Sequence, residues 1–233
     1  VNAGNTTYML PDQNQLGTYL ATIWDTGGVD TIAYDGEADV IIGLTAATLD
    51  VGDGQMASGS GSNIYVGEGV LYGGFLIAKG VVIENARGAS GFDNITGNSV
   101  ANVLKGNLGN DEISGLEGND TIFAGGDNDI ITGGTGADHI WGGSGNDEFN
   151  VFALAEGGDF LYDFDQSDDL FVLMGGVFGS GVGTLAQAGV SFQTGPAATA
   201  GSGPTIVWDR ATGRLVYDTN GSNREPERAH LFC

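Results

Sequence analysis

At 233 residues the chain has room for one large domain or two small ones, and 30 Asp and Glu against 7 Lys and Arg give it a formal charge of −23. Nucleic acid and anionic membrane would both be repelled by that charge, whereas cations are favoured. A hydrophobic share of 41%, spread over short runs of Ile, Val and Leu, counts against a disordered chain, and no run approaches the ~18 apolar residues of a membrane span.

Glycine is abundant at 43 residues and proline scarce at 4, so the glycines serve turns with positive φ and close backbone approach rather than Pro-rich linkers. The chain begins at Val1 in mid-phrase, with no initiator Met and no basic leader, and reads as a piece of a larger protein. The single cysteine, Cys233, excludes a disulfide framework. Near-absence of Cys suits an exported chain that needs no oxidative folding.

In chain order, the first motif is TIWDTGGVDTIAYDG at 22–36, where Asp25 and Asp30 flank Gly27 and Gly28. By its residues alone this is either a plain hairpin turn or a cation loop. GVVIENARG follows at 80–88, a strand end that carries Val82 and Glu84.

From residue 88 to 150 the sequence repeats every nine residues without a gap: GASGFDNIT, GNSVANVLK, GNLGNDEIS, GLEGNDTIF, AGGDNDIIT, GGTGADHIW and GGSGNDEFN. The sixth position is Asp93, Asn102, Asp111, Asp120, Asp129, Asp138 and Asp147, and the eighth is Ile95, Leu104, Ile113, Ile122, Ile131, Ile140 and Phe149. One such unit is ordinary turn chemistry, but seven in register are specific. Six residues make a turn in which glycines let carbonyl oxygens converge, and the aspartate adds a hard anionic oxygen of the kind Ca²⁺ takes. The last three make a short strand whose middle side chain faces inward. Two units close one turn of a flattened roll, so units n and n+2 stack on the same edge and can clamp an ion between them. A phosphate cradle is excluded, because each loop brings an acid and no Lys or Arg.

Downstream, DFLYDFDQSDDLFVL at 159–173 reads as strands that close the roll. It is not an EF-hand loop: counted from Asp163, position 6 is Asp168 where Gly is needed and position 12 is Met174 where Glu is needed. TIVWDRATGRLVYD at 205–218 alternates apolar and polar across an Ala-Thr-Gly turn, the pattern of a β-hairpin.

The repeat resembles that of RTX proteins, and the upstream and downstream motifs, in this order, resemble the C-terminal domain of serralysin-like secreted metalloproteases. That resemblance covers roughly residues 18 to 175. It implies an all-β chain: a right-handed parallel β-roll at 88–150, continuous with a flanking antiparallel β-sandwich formed by 1–87 and 151–233. It also implies calcium between the pairs Asp93/Asp111, Asn102/Asp120, Asp111/Asp129, Asp120/Asp138 and Asp129/Asp147, about four to five ions in the roll. At the upstream turn, Asp25, Gly27, Gly28, Asp30, Glu84 and a backbone oxygen of Val82 would hold one or two more ions, about as many as a loop of this size can surround. Asp163 and Asp169 are further candidate ligands. Val100 and Asn102 in the second unit and Asp127 in the fifth depart from the pattern. The expected function is calcium binding that folds and stabilises a secreted, extracellular protein, exported unfolded by a type I route from a Gram-negative bacterium, with a catalytic domain preceding this piece.

No catalytic residue is expected in the chain itself. His139 and His230 stand far apart, and neither H-E-x-x-H nor G-x-S-x-G occurs. The alternative is a carbohydrate- or partner-binding module, like alginate epimerase R-modules or RTX adhesins, with Phe123 and Trp141 on one outer face as a polysaccharide platform. Coverage of those rings by flanking strands is the plainer reading.

Overall fold

A computed structural model describes residues 2–10, 20–46, 61–66, 69–151, 159–165, 167–173, 191–194, 205–209 and 214–218. His230, Cys233 and the tail from residue 219 lie outside the described residues. Every regular element among the described residues is a strand. Two sheets face each other. The first runs, neighbour to neighbour, Thr7–Met9, Thr31–Ala33, Asn85–Arg87, Val103–Leu108, Thr121–Gly126, His139–Ser144, Phe160–Leu161, Arg214–Asp218, Thr205–Asp209 and Ser191–Thr194. The second runs Leu170–Leu173, Glu148–Val151, Ile130–Thr135, Glu112–Glu117, Asn94–Asn98, Asp39–Gly43, Gly61–Val66, Gly69–Ile77 and Leu20–Ile23.

Successive nine-residue units alternate between the sheets, so same-sheet neighbours are two units apart and pair in parallel: Leu104 with Ile122 and Ile122 with Ile140 in the first, Ile95 with Ile113 and Ile113 with Ile131 in the second. This is the β-solenoid that the period of nine predicts. Ile95, Leu104, Ile113, Ile122, Ile131, Ile140 and Phe149 are all buried in one continuous core. Each contributes roughly 1.5–3 kcal/mol by leaving water, and a strand of four to six residues retains that only when stacked between neighbours.

Outside the repeats the same two sheets continue. Upstream, Thr7–Met9, Thr31–Ala33 and Asn85–Arg87 stack in parallel, carrying Ile32 and Ala86 to the inward position. Among the described residues, antiparallel pairing there is confined to Asp39–Gly43 with Gly61–Val66, and Gly61–Val66 with Gly69–Ile77. Downstream, Leu161 stacks on Ile140 and Phe171 on Phe149, before the expected hairpin pairs Val207 with Val216 antiparallel. Parallel stacking therefore extends beyond 88–150 on both sides, where an apolar side chain two residues after an acid recurs, in Asp30/Ile32 and Glu84/Ala86 upstream and Asp159/Leu161 and Asp169/Phe171 downstream.

Candidate metal centre

The turns stack as closely as the strands. Gly134 has φ +105, and a Cβ on it would collide with the carbonyl oxygen of Leu116 in the turn below; Gly136, φ +137, would strike that of Gly118. Only glycine fits such an approach. Among the described residues, three that are not glycine nonetheless adopt the left-handed region: Asn107 (φ 86), Leu116 (φ 76) and Asp127 (φ 73). That costs of order 1–2 kcal/mol each. The stacked array imposes the turn conformation even where the side chain opposes it.

Each sixth-position carboxylate divides its two oxygens. Oδ1 accepts the backbone N–H of the equivalent residue one step earlier on the same edge. Along one edge Asp93 N–H donates to Asp111 at 2.8 Å, Asp111 to Asp129 at 2.8 Å and Asp129 to Asp147 at 3.0 Å. Along the other, Asn102 donates to Asp120 and Asp120 to Asp138, both at 2.8 Å. The second oxygen of Asp111, Asp120, Asp129 and Asp147 is buried and accepts no hydrogen bond. The space above Gly106 is walled by Asp111 Oδ2 and the carbonyl of Ala124, and that above Gly115 by Asp120 Oδ2 and the carbonyl of Gly133.

A buried anionic oxygen facing a carbonyl, with no donor between, is destabilised unless a cation or a proton joins it. Burial accordingly pushes the carboxyls up, with neighbouring carboxylates adding to it: Asp111 to about 8, Asp120 and Asp129 to about 7, Asp93 to about 6. Asp147 rises for the same reason. Among the described residues no group of three or more His, Cys, Asp or Glu converges on one point. The donor set of each turn is therefore one or two carboxylates among backbone carbonyls, hard oxygen throughout. This fits Ca²⁺, with its six to eight oxygen ligands and tolerant geometry, and fits neither zinc nor copper.

The rows do not stop with the repeats. Asp138 N–H donates to Asp159 Oδ1 at 2.9 Å, and Asp147 N–H to Asp169 Oδ1 at 3.1 Å. Asp169 was anticipated; Asp159 was not. The signal for it was present, since Asp159-Phe160-Leu161 repeats the spacing of Asp138-His139-Ile140, but the missing glycines hid it. Asp163 turns back to the last turn of the roll, accepting the N–H groups of Gly142 and Gly143, each at 2.9 Å. A second ladder was also missed. Fifth-position asparagines stack outside the aspartates, Asn128 N–H donating to Asn110 Oδ1 at 2.8 Å and Asn146 N–H to Asn128 Oδ1 at 2.7 Å. Their recurrence as Asn-Asp at the fifth and sixth positions was visible in the sequence.

At the upstream turn the structure brings together only part of the expected set. Asp30 N–H donates to Glu84 Oε2 at 2.7 Å, and Asp30 Oδ1 accepts Thr6 N–H at 2.8 Å while its Oδ2 is buried without a hydrogen bond. Burial raises the Asp30 carboxyl, helped by the nearby Asp25 and Glu84 charges. Asp25 is engaged elsewhere: it accepts the Tyr8 hydroxyl at 2.6 Å and the N–H groups of Thr26 and Gly27 at 2.7 and 3.1 Å. Those bonds, Tyr8 foremost, hold its carboxyl below the usual range. Gly27 and Gly28 both have positive φ, and the Val82 side chain is exposed.

On the outer face of the first sheet, Phe123 stacks on Trp141 at 4.6 Å and Trp141 on Tyr162 at 4.1 Å, with Lys105 over the far face of Phe123. His139 stacks on Phe160 at 5.0 Å, and its Nδ1 lies 2.6 Å from the Tyr162 hydroxyl. The rings turn their faces to one another, so the closing strand extends the column.

The comparisons agree with this geometry. The family model of the RTX calcium-binding nonapeptide repeat, in four copies, matches residues 87–122, 96–131 and 123–150. The chain is similar to the serralysin of Photorhabdus laumondii, 39% identical over 99 residues, which is 42% of this chain and 17% of that protein. It is also similar to the metallopeptidase AprA of Pseudomonas marginalis and the metalloprotease AprA of Pseudomonas entomophila, each 34% identical over 113 residues, 44% of this chain and 20% of theirs. The chain thus spans a fifth or less of the length of these relatives. Residues 87–150 thus match the RTX calcium-binding nonapeptide repeat, in a chain similar over part of its length to serralysin and AprA.

Proposed function

We propose that the turns built on Asp111, Asp120, Asp129, Asp138 and Asp147 bind Ca²⁺, each between stacked turns two units apart, and that filling them folds the roll. Asp159 and Asp169 close the two rows downstream. Asp30 and Glu84 hold a further ion upstream with carbonyl oxygens of the Gly27–Gly28 turn, and Asp25 shapes that turn through its hydrogen bonds. The observation that carries this reading is that a buried carboxylate oxygen of Asp111, Asp120, Asp129 and Asp147 accepts no hydrogen bond, those of Asp111 and Asp120 lying beside a backbone carbonyl. A bound ion supplies the charge these oxygens lack, so metal binding energy becomes folding energy.

The wider role is that of a non-catalytic part of a secreted protein, with a metalloprotease catalytic domain on the same polypeptide, as the partial homology to serralysin suggests. Turns with one or two carboxylates per ion belong to the weaker end of calcium sites, ~10⁻⁶ to 10⁻³ M. They stay empty at cytosolic calcium and fill outside the cell, which suits export before folding. Calorimetry with counted ions tests the reading: several Ca²⁺ per chain in that affinity range support it, and a chain that binds none in millimolar calcium refutes it. The carbohydrate-platform alternative has less behind it, because neighbouring rings lie against Trp141, and Trp141 and Lys105 lie against Phe123, on the faces a sugar would use.

A further inference from the structure

Resting on the calcium reading proposed above, we infer that the second turn of the roll holds no ion: the side-chain amides of Asn98 and Asn102 close it by hydrogen bonds in the place where the later turns use a cation. The space above Gly97 is walled by Asn102 Oδ1 and the Gly115 carbonyl, the same two positions that face each other in the third and fourth turns. What differs is the supply of donors. Asn102 Oδ1 accepts the backbone N–H of Asn98 at 2.9 Å, and Asn102 Nδ2 donates to the Glu84 carbonyl at 2.9 Å and to Asn98 Oδ1 at 3.2 Å. Asn98 Nδ2 in turn donates to the carbonyls of Ile83 at 2.8 Å and Leu44 at 3.3 Å, while its Oδ1 accepts Val100 N–H at 3.0 Å.

The orientation of the Asn102 amide follows from its neighbours. The Glu84 carbonyl and Asn98 Oδ1 are acceptors and require the NH₂ end, whereas Asn98 N–H is a donor and requires the oxygen. A carboxylate at 102 would face three oxygens with one donor, the predicament of the aspartates in the following turns. Asparagine resolves it with two N–H groups of its own.

The backbone makes the same choice. In units three to seven the second position has positive φ, at Asn107, Leu116, Gly125, Gly134 and Gly143. That conformation turns the N–H of the second position away from the sixth-position side chain. Asn98, the second position of unit two, is not among the positive-φ residues, and Val100 stands where Gly109 and Gly118 have positive φ. Its N–H is therefore aimed inward, where it occupies the lone pair that stays bare in Asp120. Because the amide pair reaches Leu44, Ile83 and Glu84, it also ties the roll to the upstream strands without calcium.

Ion counting on the full 233-residue chain tests this. Asn102→Ala is expected to bind as many Ca²⁺ as the unmodified chain, within half an ion, while losing thermal stability in saturating calcium; Asp138→Ala loses at least one ion. A loss of one ion in Asn102→Ala overturns the inference, because the amide oxygen is then a ligand. Should that variant not fold, the unmodified chain answers by NMR in saturating calcium. Slowly exchanging side-chain NH₂ protons of Asn98 and Asn102 support the plug, and an Asn102 NH₂ exchanging freely with water overturns it. A chain that binds no calcium yet keeps those protons protected refutes the calcium reading and leaves the plug standing.

Discussion

The first two turns of the roll and the five that follow are written in one nonapeptide, yet they satisfy their sixth-position side chains by different means. In the first turn both oxygens of Asp93 have donors, Val40 N–H at 3.0 Å and Ala89 N–H at 2.8 Å. In the second, Asn102 is closed by its own amide and by Asn98. In the third, fourth, fifth and seventh one carboxylate oxygen has no donor at all. The difference goes with the backbone of the turn: the second and fourth positions both have positive φ from the third unit on, and neither does in the first two. On the calcium reading proposed above, calcium dependence is a local property of each turn and is expected to grade along the roll.

The largest expected effect comes from removing calcium. At 100-fold over Kd one site contributes about 2.7 kcal/mol, so three or more together match a domain's whole stability of about 5–15 kcal/mol. In EGTA the far-UV circular dichroism should lose most of its β signal. Amide exchange should be fast across 106–150 and slower across 85–104, where hydrogen bonds close the turns. Magnesium should restore little, given its stricter octahedral demand. Uniform exchange of both regions would erase the distinction drawn between them.

Second in size is an interior break in the ion row. Asp129 stands between Asp111 and Asp147 on its edge, so Asp129→Ala should remove up to two ions and raise the calcium midpoint for folding several-fold. Asp147→Ala, nearer the end, should remove about one, since in a stacked array each unit leans on its neighbours. Equal losses, counted by equilibrium dialysis, would contradict the pairing of units n and n+2.

Protons should partly replace calcium, and the sign follows from the raised carboxyls. Asp111 titrates at about 8 and Asp120 and Asp129 at about 7 in the fold, against an ordinary carboxylate value near 4 in the unfolded chain. Folding therefore takes up protons. This contribution is complete below about pH 4 and is lost as pH rises through 7 to 8. In EGTA the chain should gain β structure on acidification from pH 8 to 5, followed by circular dichroism, whereas apparent calcium affinity should fall over the same range. A loss of structure on acidification in EGTA would oppose this assignment of the burial penalty.

The smallest effect sharpens the role of the turn backbone. Leu116 has φ 76 with its side chain exposed, so Leu116→Gly should relieve strain and stabilise the calcium-loaded roll by about 1 kcal/mol or less. Gly134→Ala, beneath the same stack, should do the opposite and more strongly, because its Cβ would meet the Leu116 carbonyl. Thermal melts in saturating calcium read both.

Much of this was legible in the sequence, for a reason particular to repeats. A period of nine with one acid and one apolar residue at constant spacing makes each residue's environment a copy of its neighbours', so Ile113 and Asp111 could be placed without knowing the rest of the chain. Where the copies become imperfect, local pattern loses its force. Asp159 keeps the acid-x-apolar core and lacks the glycines, and only its stacking on Asp138 reveals it; Asp169, anticipated as a ligand, stacks likewise on Asp147. Asp25 shares a motif with Asp30, yet Tyr8, seventeen residues earlier, takes its carboxylate. Phe123 and Trp141 are neighbours on one sheet, but the stacking of Trp141 on Tyr162 required the closing strand.

The sequence by itself determined the architecture, the inward apolar column, the acidic edges and the kind of ion they suit, because spacing and residue chemistry act within one or two turns. Only the tertiary structure decided which acids are satisfied. Whether a carboxylate oxygen meets an N–H, a carbonyl or nothing depends on the peptide orientation of the turn and on the turn stacked above it. Two sixth-position residues with one spacing, Asn102 and Asp120, therefore end as a closed hydrogen-bond network and a bare buried oxygen.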